Sequence, residues 1–431
     1  MSKFVETLVP ARLGAGYRWL LASSWTTNLG DGVAVAAGPL LVASMTGDAF
    51  LVSLAALLRW APPLVVGLYA GVLSDRLDRR RIVIAADAVR AVVLSVLVIT
   101  MITDSVSVSG ALLALGLLAI AEVFADNTSA TLTPMLVHRD DLAIANSRLQ
   151  TGFLTLNQLA GPPIGAALFA AGRTWPFVTE AVLLCAGVIL VSRVVLPAHG
   201  RGSTDVPSSV WRDIAEGFRW TVRHPAVRTL SLTILIFNVA FGAAWSVLVL
   251  YATQRLGLGP VGFGLLSTVS AAGGLLGTAL YGWITRRVSL GNVMRVGLVI
   301  ETLTHLALAV TTSAWVASLI FFVFGAHVFI WGTTSITVRQ RAVPTHLQGR
   351  VNSVNTISMF GGLVAGSAIG GTLATHYGVT APFWFAFTGS AVFVVLLWRE
   401  LTRIAHADEQ PQTVSARASV RCRRRPRGAR R

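Results

Sequence analysis

Charged residues are scarce in this chain of 431 residues. Aspartate, glutamate, lysine and arginine make up 13% of the sequence, whereas soluble globular proteins carry about 25%. Hydrophobic residues make up 54%, and the mean hydropathy is +0.68. This composition excludes an ordinary soluble protein, and the length leaves room for about twelve membrane spans of roughly 20 residues each.

Sequence signals of catalysis and of ATP use are also missing. The chain has no G-x-x-x-x-G-K-[ST] loop, no cysteine and histidine cluster of the zinc type, and no nucleophile paired with a base. Cys185 lies in an apolar run and Cys422 in a basic tail, which argues against a disulfide bridge. We predict that the protein is not an enzyme and needs no cofactor or metal. Any energy that it uses must then come from an ion gradient.

The apolar runs predict an all-α membrane protein with twelve spans. The predicted spans are 18–45, 50–74, 82–103, 110–132, 143–172, 175–196, 229–254, 259–285, 292–311, 314–338, 349–376 and 380–401. Most arginines fall in one set of alternate loops, while the other set holds only Arg173 and Arg255. The positive-inside rule then places both termini in the cytoplasm.

The two halves of the chain share a sequence pattern. Residues 160–168 and 365–373 are alike, and each stretch is followed by a Pro-Phe pair at nearly the same offset. This repeat predicts two six-helix bundles, with substrate bound between them near the middle of the membrane. The predicted units are a first bundle 1–196, a cytoplasmic linker 197–228, a second bundle 229–403 and a basic disordered tail 404–431.

The linker is predicted to contain an amphipathic helix over 209–228. One stripe of this helix carries apolar side chains: Trp211, Ile214, Phe218 and Val222. Such a helix lies along the cytoplasmic membrane surface and joins the two bundles. The arginines of the tail can attract anionic lipid headgroups, and a solvated tail without function is the alternative. Nucleic-acid binding is not expected.

A block of charges over 71–81 interrupts two apolar runs and must form a short loop outside the hydrocarbon. Its pattern, G-x-L-x-D-R-x-x-R-R, resembles the signature loop after the second helix of the major facilitator superfamily. The resemblance implies a secondary transporter whose loop acts as a latch stabilising the outward-open state. The residues that carry this resemblance are Gly71, Asp75, Arg76, Arg79 and Arg80. We expect Gly71 to allow close helix approach, and Arg79 and Arg80 to face anionic lipid or an acidic partner. Anchoring of the topology by positive charge is the alternative.

Two further stretches resemble one branch of that superfamily. Residues 211–228 and 339–353 look like the branch of bacterial enterobactin exporters and macrolide efflux pumps. The fifth span resembles the Gly-Pro motif of antiporters, in which the motif kinks the helix and limits leak. Its residues here are Gly161, Pro162, Pro163 and Gly165. A kink without functional consequence is the alternative.

Ionisable side chains inside spans are costly and by default functional. Asp31 lies among glycines of the first span, and Arg59 in the second span is its natural counter-charge. Glu122 and Asp126 are four residues apart and share a helix face. Mutual repulsion favours protonation of one of these two carboxylates, as a proton carrier requires. These four residues are candidates for binding protons or substrate.

Five further residues complete the set of candidates. Asp87 and Arg90 are predicted to form an intrahelical ion pair near the cytoplasmic end of the third span, supporting the 71–81 loop. In the second half, Glu301 and His305 are proton or substrate candidates, with solvation near the membrane surface as the alternative. His327 in the next span is a candidate relay, although buried histidines more often serve packing. The fourth span lacks the arginine that proton-coupled antiporters usually carry there.

These observations favour a monomeric, proton-coupled exporter of a hydrophobic or amphiphilic small molecule in a bacterial inner membrane. A drug, an antibiotic or a siderophore-like metabolite fits that description. The alternatives are an importer or facilitator of a polar solute and a membrane sensor or lipid-handling protein that does not pump.

Overall fold

The computed structural model describes residues 11–196 and 210–401, which are helical apart from short connections. The first half contains α1 (Gly14–Met45), α2 (Ala49–Val65), α3 (Gly67–Arg76), α4 (Arg79–Ile102), α5 (Val108–Leu136), α6 (Leu142–Gly152), α7 (Gly161–Ala171) and α8 (Trp175–Ser192). Then come α9 (Val210–Arg223), α10 (Pro225–Trp245), α11 (Leu248–Leu250), α12 (Pro260–Thr285), α13 (Leu290–Val310), α14 (Ala314–Ala342), α15 (Gln348–Tyr377) and α16 (Ala381–Leu397). The basic tail lies outside the described residues.

Each predicted apolar run is helical in the structure. Nine helices within the described ranges are long and apolar enough to cross a membrane, and α2 and α16 are shorter apolar helices. The predicted second span is divided at Val66 into α2 and α3. The predicted fifth span consists of α6, a π-helical segment over Phe153–Ala160 and α7. The chain is therefore an all-helical membrane protein.

Polar residues at the turns begin several of these helices. Asp48 accepts a hydrogen bond from the Phe50 amide at 2.8 Å at the start of α2, and Ser107 accepts one from the Gly110 amide at 3.1 Å at the start of α5. Asp78 accepts one from the Arg81 amide at 3.2 Å at the start of α4. Side chains of this type satisfy amide donors that have no partner within a helix. Asp78 therefore begins α4 as an N-cap.

The two halves contact each other through α2 with α15 and through α7 with α12. The Thr375 hydroxyl of α15 accepts a hydrogen bond from the Phe50 amide at 3.1 Å and donates to Asp48 Oδ1 at 3.3 Å. Gly371 of α15 lies directly against Ser53 of α2. Glycine permits this approach because it has no side chain. The halves are thus closed at the end that carries the turn between α1 and α2.

The linker helix α9 packs against the start of α15. Arg350 Nε donates to Asp213 Oδ1 at 3.0 Å, and its Nη1 donates to Glu216 Oε1 at 2.9 Å. The backbone of Gly217 lies directly against the backbone of Arg350. The predicted apolar stripe is divided in the structure: Phe218 and Val222 are exposed, whereas Ile214 borders a cavity described below. The predicted linker helix is present over Val210–Arg223 and also docks on α15, and its position along the membrane surface stays a prediction.

We expect Gly217→Val to detach α9 from α15, because a Cβ at this position would overlap the Arg350 backbone. Amide hydrogen exchange of α9 should become faster by roughly tenfold, which corresponds to a loss of ~1.4 kcal/mol of docking free energy. Gly349→Val is the control, because the space around Gly349 in the same region is open. Equal exchange rates in wild type and Gly217→Val would contradict the docking.

Candidate functional site

Arg90 of α4 is the centre of a buried cluster of charges. Its Nη2 donates to Asp31 Oδ1 of α1 and lies 3.7 Å from Glu180 Oε1 of α8. Its Nη1 donates to Asp87 Oδ1 at 3.3 Å. All four side chains are buried, with exposures of 2% for Arg90 and 6% for Asp31. One guanidinium therefore connects three helices through three carboxylates.

The partner predicted for Asp31 was wrong. Arg59 was expected to neutralise Asp31, but Asp31 is paired with Arg90. Arg59 instead lies on the wall of a cavity, and its guanidinium carbon is 5.6 Å from the centre of the Trp60 ring. Among the described residues no carboxylate lies within ion-pair distance of Arg59. The reason is geometric, because α1 packs on α8, and there Asp31 meets the Arg90 side chain that reaches it from α4.

The ion pair between Asp87 and Arg90 is confirmed, but its expected position was wrong. Arg90 is eleven residues beyond the start of α4, which places it about 16 Å along the helix at 1.5 Å per residue. The pair therefore lies in the interior of the bundle and cannot support the loop at the helix start. At that depth the carboxylate of Asp87 needs a counter-charge, and Arg90 supplies it.

Glu180 is a member of the cluster that sequence reasoning missed. It lies in the apolar helix α8 and is 2% exposed, and its Oε2 has no hydrogen-bond partner among the described residues. The signal was available, because Glu180 is the one charged residue within Trp175–Ser192.

A cavity of about 380 Å³ lies beside this cluster, between the two halves. Its wall from the first half carries the charged residues Asp31, Arg59, Arg90, Glu122 and Glu180. Its wall from the second half is aromatic: Phe241, Trp245, Phe263, Phe321, Phe324 and Phe329. The ring centres of Phe241 and Trp245 are 4.4 Å apart, and those of Trp245 and Phe324 are 4.6 Å apart. One side of the cavity is thus ionic and the opposite side is apolar.

A second cavity of about 690 Å³ continues from the first toward the end of the bundle that carries α9. Both cavities are bordered by Arg59, Trp60, Ala119 and Glu122, so they form one chamber. Glu122 is half-buried and Asp126 is exposed to the second cavity, and among the described residues neither forms an ion pair. The prediction that Glu122 and Asp126 share a face is confirmed, and that face borders the chamber.

The candidates of the second half are buried and not solvated. Glu301 is 9% exposed, His305 is 0% exposed and His327 is 5% exposed. His327 Nε2 lies 3.4 Å from Glu301 Oε2, and His305 Nδ1 lies 2.9 Å from the backbone oxygen of Glu301. The alternative of surface solvation was wrong, because these residues face neighbouring helices. None of the three borders the chamber directly.

The 71–81 loop contacts the ends of other helices. Arg79 Nε donates to the Ser74 carbonyl at 3.1 Å, and Arg80 Nη2 donates to the Ser192 carbonyl at the end of α8. Arginine at a helix C-terminus satisfies carbonyls that have no partner within the helix. Both arginines thus contact carbonyls near helix ends, and the expectation that they also face anionic lipid or an acidic partner stays a prediction. The side chains of Asp75 and Arg76 lie outside the described residues.

The glycine of the 71–81 loop and the glycines of the Gly-Pro motif differ in how closely a neighbouring helix approaches them. The space around Gly71 is open, so the close helix approach expected there is absent from the described structure. Gly165 and Gly161 of α7 lie directly against Val33 and Gly32 of α1. The irregular backbone near the prolines is the π-helical segment Phe153–Ala160, which ends immediately before Gly161. Pro162 and Pro163, which lack amide donors, follow this segment. The fifth span thus packs on α1 beside Asp31.

The paired halves, the chamber between them and the buried charges define a transporter of the major facilitator type. The chain belongs to the transmembrane secretion effector family, whose profile matches residues 6–422. It is a multi-pass protein of a bacterial inner membrane. Members of this family are transporters, in agreement with the prediction that the chain is not an enzyme.

Relatives of the chain include efflux proteins. It is 30% identical over 380 residues to the multidrug efflux pump Tap of Mycolicibacterium fortuitum, covering 84% of this chain and 90% of that protein. It is 24% identical over 362 residues to macrolide efflux protein A of Streptococcus pyogenes, covering 82% and 87%.

Solved structures share the fold at low sequence identity. A bacterial homologue of the iron transporter ferroportin, in an inward-facing state, aligns with a TM-score of 0.70 at 17% identity and covers 90% of this chain and 98% of that one. A point mutant of the nucleoside transporter NupG aligns with a TM-score of 0.71 at 10% identity and covers 89% and 99%.

Proposed function

We propose that the protein is a proton-coupled exporter of amphiphilic small molecules. It would use twelve spans in two six-helix halves, 1–196 and 229–403, with both termini in the cytoplasm. In that topology the α9 end of the bundle is cytoplasmic, and the chamber faces the cytoplasm while the opposite end is closed. Both walls of the chamber come from one chain, which supports a monomer as the transport unit.

The surplus of carboxylates over arginines at the chamber carries the proposal. Three carboxylates surround Arg90, and Glu122 and Asp126 stand nearby without ion pairs among the described residues. Burying several uncompensated charges is unfavourable, so protons must neutralise some of these groups whenever water is excluded. When the chamber opens to water, the same groups can lose protons. A cycle that alternates between these states moves protons in one direction across the membrane and substrate in the other.

The two walls of the chamber indicate the substrate class. Aromatic rings of the second half offer apolar area and stacking, while the acidic first half attracts polar or cationic groups. An amphiphilic molecule satisfies both walls at once. The efflux relatives named above support a drug, an antibiotic or a siderophore-like metabolite as substrate. A polar solute alone would leave the aromatic wall without a contact.

The loop over 71–81 is proposed to stabilise one state of this cycle. Arg79 and Arg80 attach the start of α4 to carbonyls of α3 and α8, which ties three helices of the first half together. These contacts support a rigid first half that moves as one body. The latch function assigned to Gly71, Asp75 and Arg76 stays a proposal from the resemblance.

Ethidium uptake into inverted membrane vesicles tests this function. We expect wild type to accumulate ethidium when the vesicle interior is acidified, and nigericin, which collapses the pH gradient, to stop it. Glu122→Gln should lower this gradient-driven uptake by about tenfold or more, because it removes a titratable group from the chamber. A tenfold loss corresponds to ~1.4 kcal/mol.

Asp104→Asn is the matched control, since Asp104 is exposed in the turn between α4 and α5 and asparagine tolerates its positive φ of 51°. Uptake that persists after the gradient has collapsed would exclude proton coupling. Vesicles that show no uptake while whole cells import the dye would favour an importer. No movement in either direction would favour a sensor.

A further inference from the structure

A second group of titratable side chains lies in the second half, away from the carboxylates around Arg90. Gly297, Glu301 and His305 are spaced four residues apart on α13 and therefore share one face. A Cβ added at Gly297 would lie 2.9 Å from the His327 ring, so α14 approaches α13 closely here. A residue larger than glycine would push His327 away from Glu301. The packing therefore brings Glu301 and His327 together.

The hydrogen bonds fix which atoms carry hydrogen. A backbone carbonyl can only accept, so His305 Nδ1, 2.9 Å from the Glu301 carbonyl, carries the hydrogen. His305 Nε2 is then the free acceptor, and it has no partner among the described residues although it is fully buried. Glu301 Oε2 and His327 Nε2 face each other at 3.4 Å. Such a pair can hold one shared proton in two forms. Either Glu301 is a neutral carboxylic acid beside a neutral imidazole, or it is a carboxylate beside an imidazolium.

Other charged groups on the surrounding helices do not reach this pair. Arg295 of α13 donates to the Trp398 carbonyl at 3.0 Å, and Arg228 lies in the first turn of α10. The last turn of α14 carries Arg339 and Arg341. The part of α14 that lies against Gly297 is an earlier one, and it carries Trp331 and His327. Helix α16 has no ionisable residue within Ala381–Leu397. In the described structure the ion-pair partner of Glu301 is therefore His327.

This geometry has a consequence for the proton count. A buried carboxylate without a counter-charge costs several kcal/mol, as does a buried imidazolium without one. The pair avoids both costs by holding one proton, because each of its two protonated forms has zero net charge. Removing that proton would leave one negative charge in an apolar environment.

We propose that Glu301 and His327 form a second proton-binding site, separate from the Arg90 cluster. His305 lies one helical turn beyond Glu301, and its Nδ1 keeps its hydrogen bond to the Glu301 carbonyl in either protonated form of the pair. The ring of His305 packs edge-on against Trp245, with centres 5.9 Å apart. Trp245 borders the chamber and is the last residue of α10, where the seventh span is interrupted.

The proton itself can be counted on purified full-length protein without substrate. We expect unfolding in guanidinium at pH 8 to release one proton more from wild type than from the double variant Glu301→Gln/His327→Gln, because the unfolded chain no longer holds the two side chains together around a shared proton. Glutamine at both positions keeps polar side chains of similar size, so this variant is expected to fold. His376→Gln is the control, because His376 near the end of α15 is exposed to water in the folded protein as it is in the unfolded one. An identical proton count in wild type and the double variant would overturn the proposal.

A transport measurement tests whether this proton is used, and it rests on the proposed function. In proteoliposomes, the ratio of protons to ethidium should fall by one in Glu301→Gln/His327→Gln, while ethidium binding is retained. An unchanged ratio in an active double variant would show that the site binds a proton without coupling it. Absence of ethidium transport in wild type would contradict the exporter function and leave the proton count on purified protein as the independent test.

Discussion

Arg90→Gln is expected to give the largest loss of folded protein of any single substitution in the first half. The variant leaves Asp31, Asp87 and Glu180 buried without a cation. Removing one partner of a buried ion pair typically costs about 3–5 kcal/mol, and here three carboxylates lose the same partner. Size-exclusion chromatography of a fluorescent fusion should show a reduced monodisperse peak, and thermal unfolding should shift to lower temperature.

A rescue experiment separates charge from packing in this cluster. Arg90→Gln combined with Asp31→Asn and Glu180→Gln removes the cation together with two of its partners. We expect this triple variant to recover much of the lost folded protein while remaining inactive in ethidium export. Arg90→Lys should be intermediate, because an ammonium is a point charge and cannot bridge several carboxylates as a guanidinium does. Wild-type yield and thermal stability of Arg90→Gln would refute the electrostatic role.

Gly165→Leu is expected to abolish the packing of α7 on α1. A Cβ at Gly165 would overlap the backbone oxygen of Val33, and backbone cannot move aside as a side chain can. The cost should exceed the roughly 1–3 kcal/mol of ordinary overpacking. We expect loss of the monodisperse peak, or a folded variant that no longer transports ethidium.

Substitutions of glycine and of proline in α7 distinguish two roles for the Gly-Pro motif, close helix contact and helix kinking. If the glycines matter for contact, Gly165→Ala should already be harmful, while Pro163→Ala should be tolerated. If the prolines matter for a kink, the order of the two effects should be reversed. Gly361→Leu is the control, because the space around Gly361 in α15 is open. Normal transport by Gly165→Leu would rule out the contact.

Sequence reasoning succeeded where a local signal was sufficient. Long apolar runs separated by charged turns can only be buried in lipid as helices, so the all-helical membrane fold followed from composition. The spacing of Glu122 and Asp126 placed them on one face because the helix period is fixed. The loop pattern over 71–81 led to the superfamily that the family match confirms.

The predictions were wrong where a residue's partner depended on which helices pack against each other. Arg59 and Arg90 are both arginines within apolar runs, and nothing local says which of them meets Asp31. Gly71 and Gly165 are both small residues in spans, yet one lies in open space and the other against a backbone. Such differences arise from helix packing over large sequence separations.

The sequence by itself determined that this is a membrane protein, that it is built from apolar helices, and that a few ionisable groups must lie within them. It did so because hydrocarbon penalises unsatisfied backbone groups and charges wherever they occur along the chain. Only the tertiary structure decided that Arg90 gathers three carboxylates and that Glu301 pairs with His327. Those partnerships depend on the rotation and approach of separate helices, which a linear pattern does not encode.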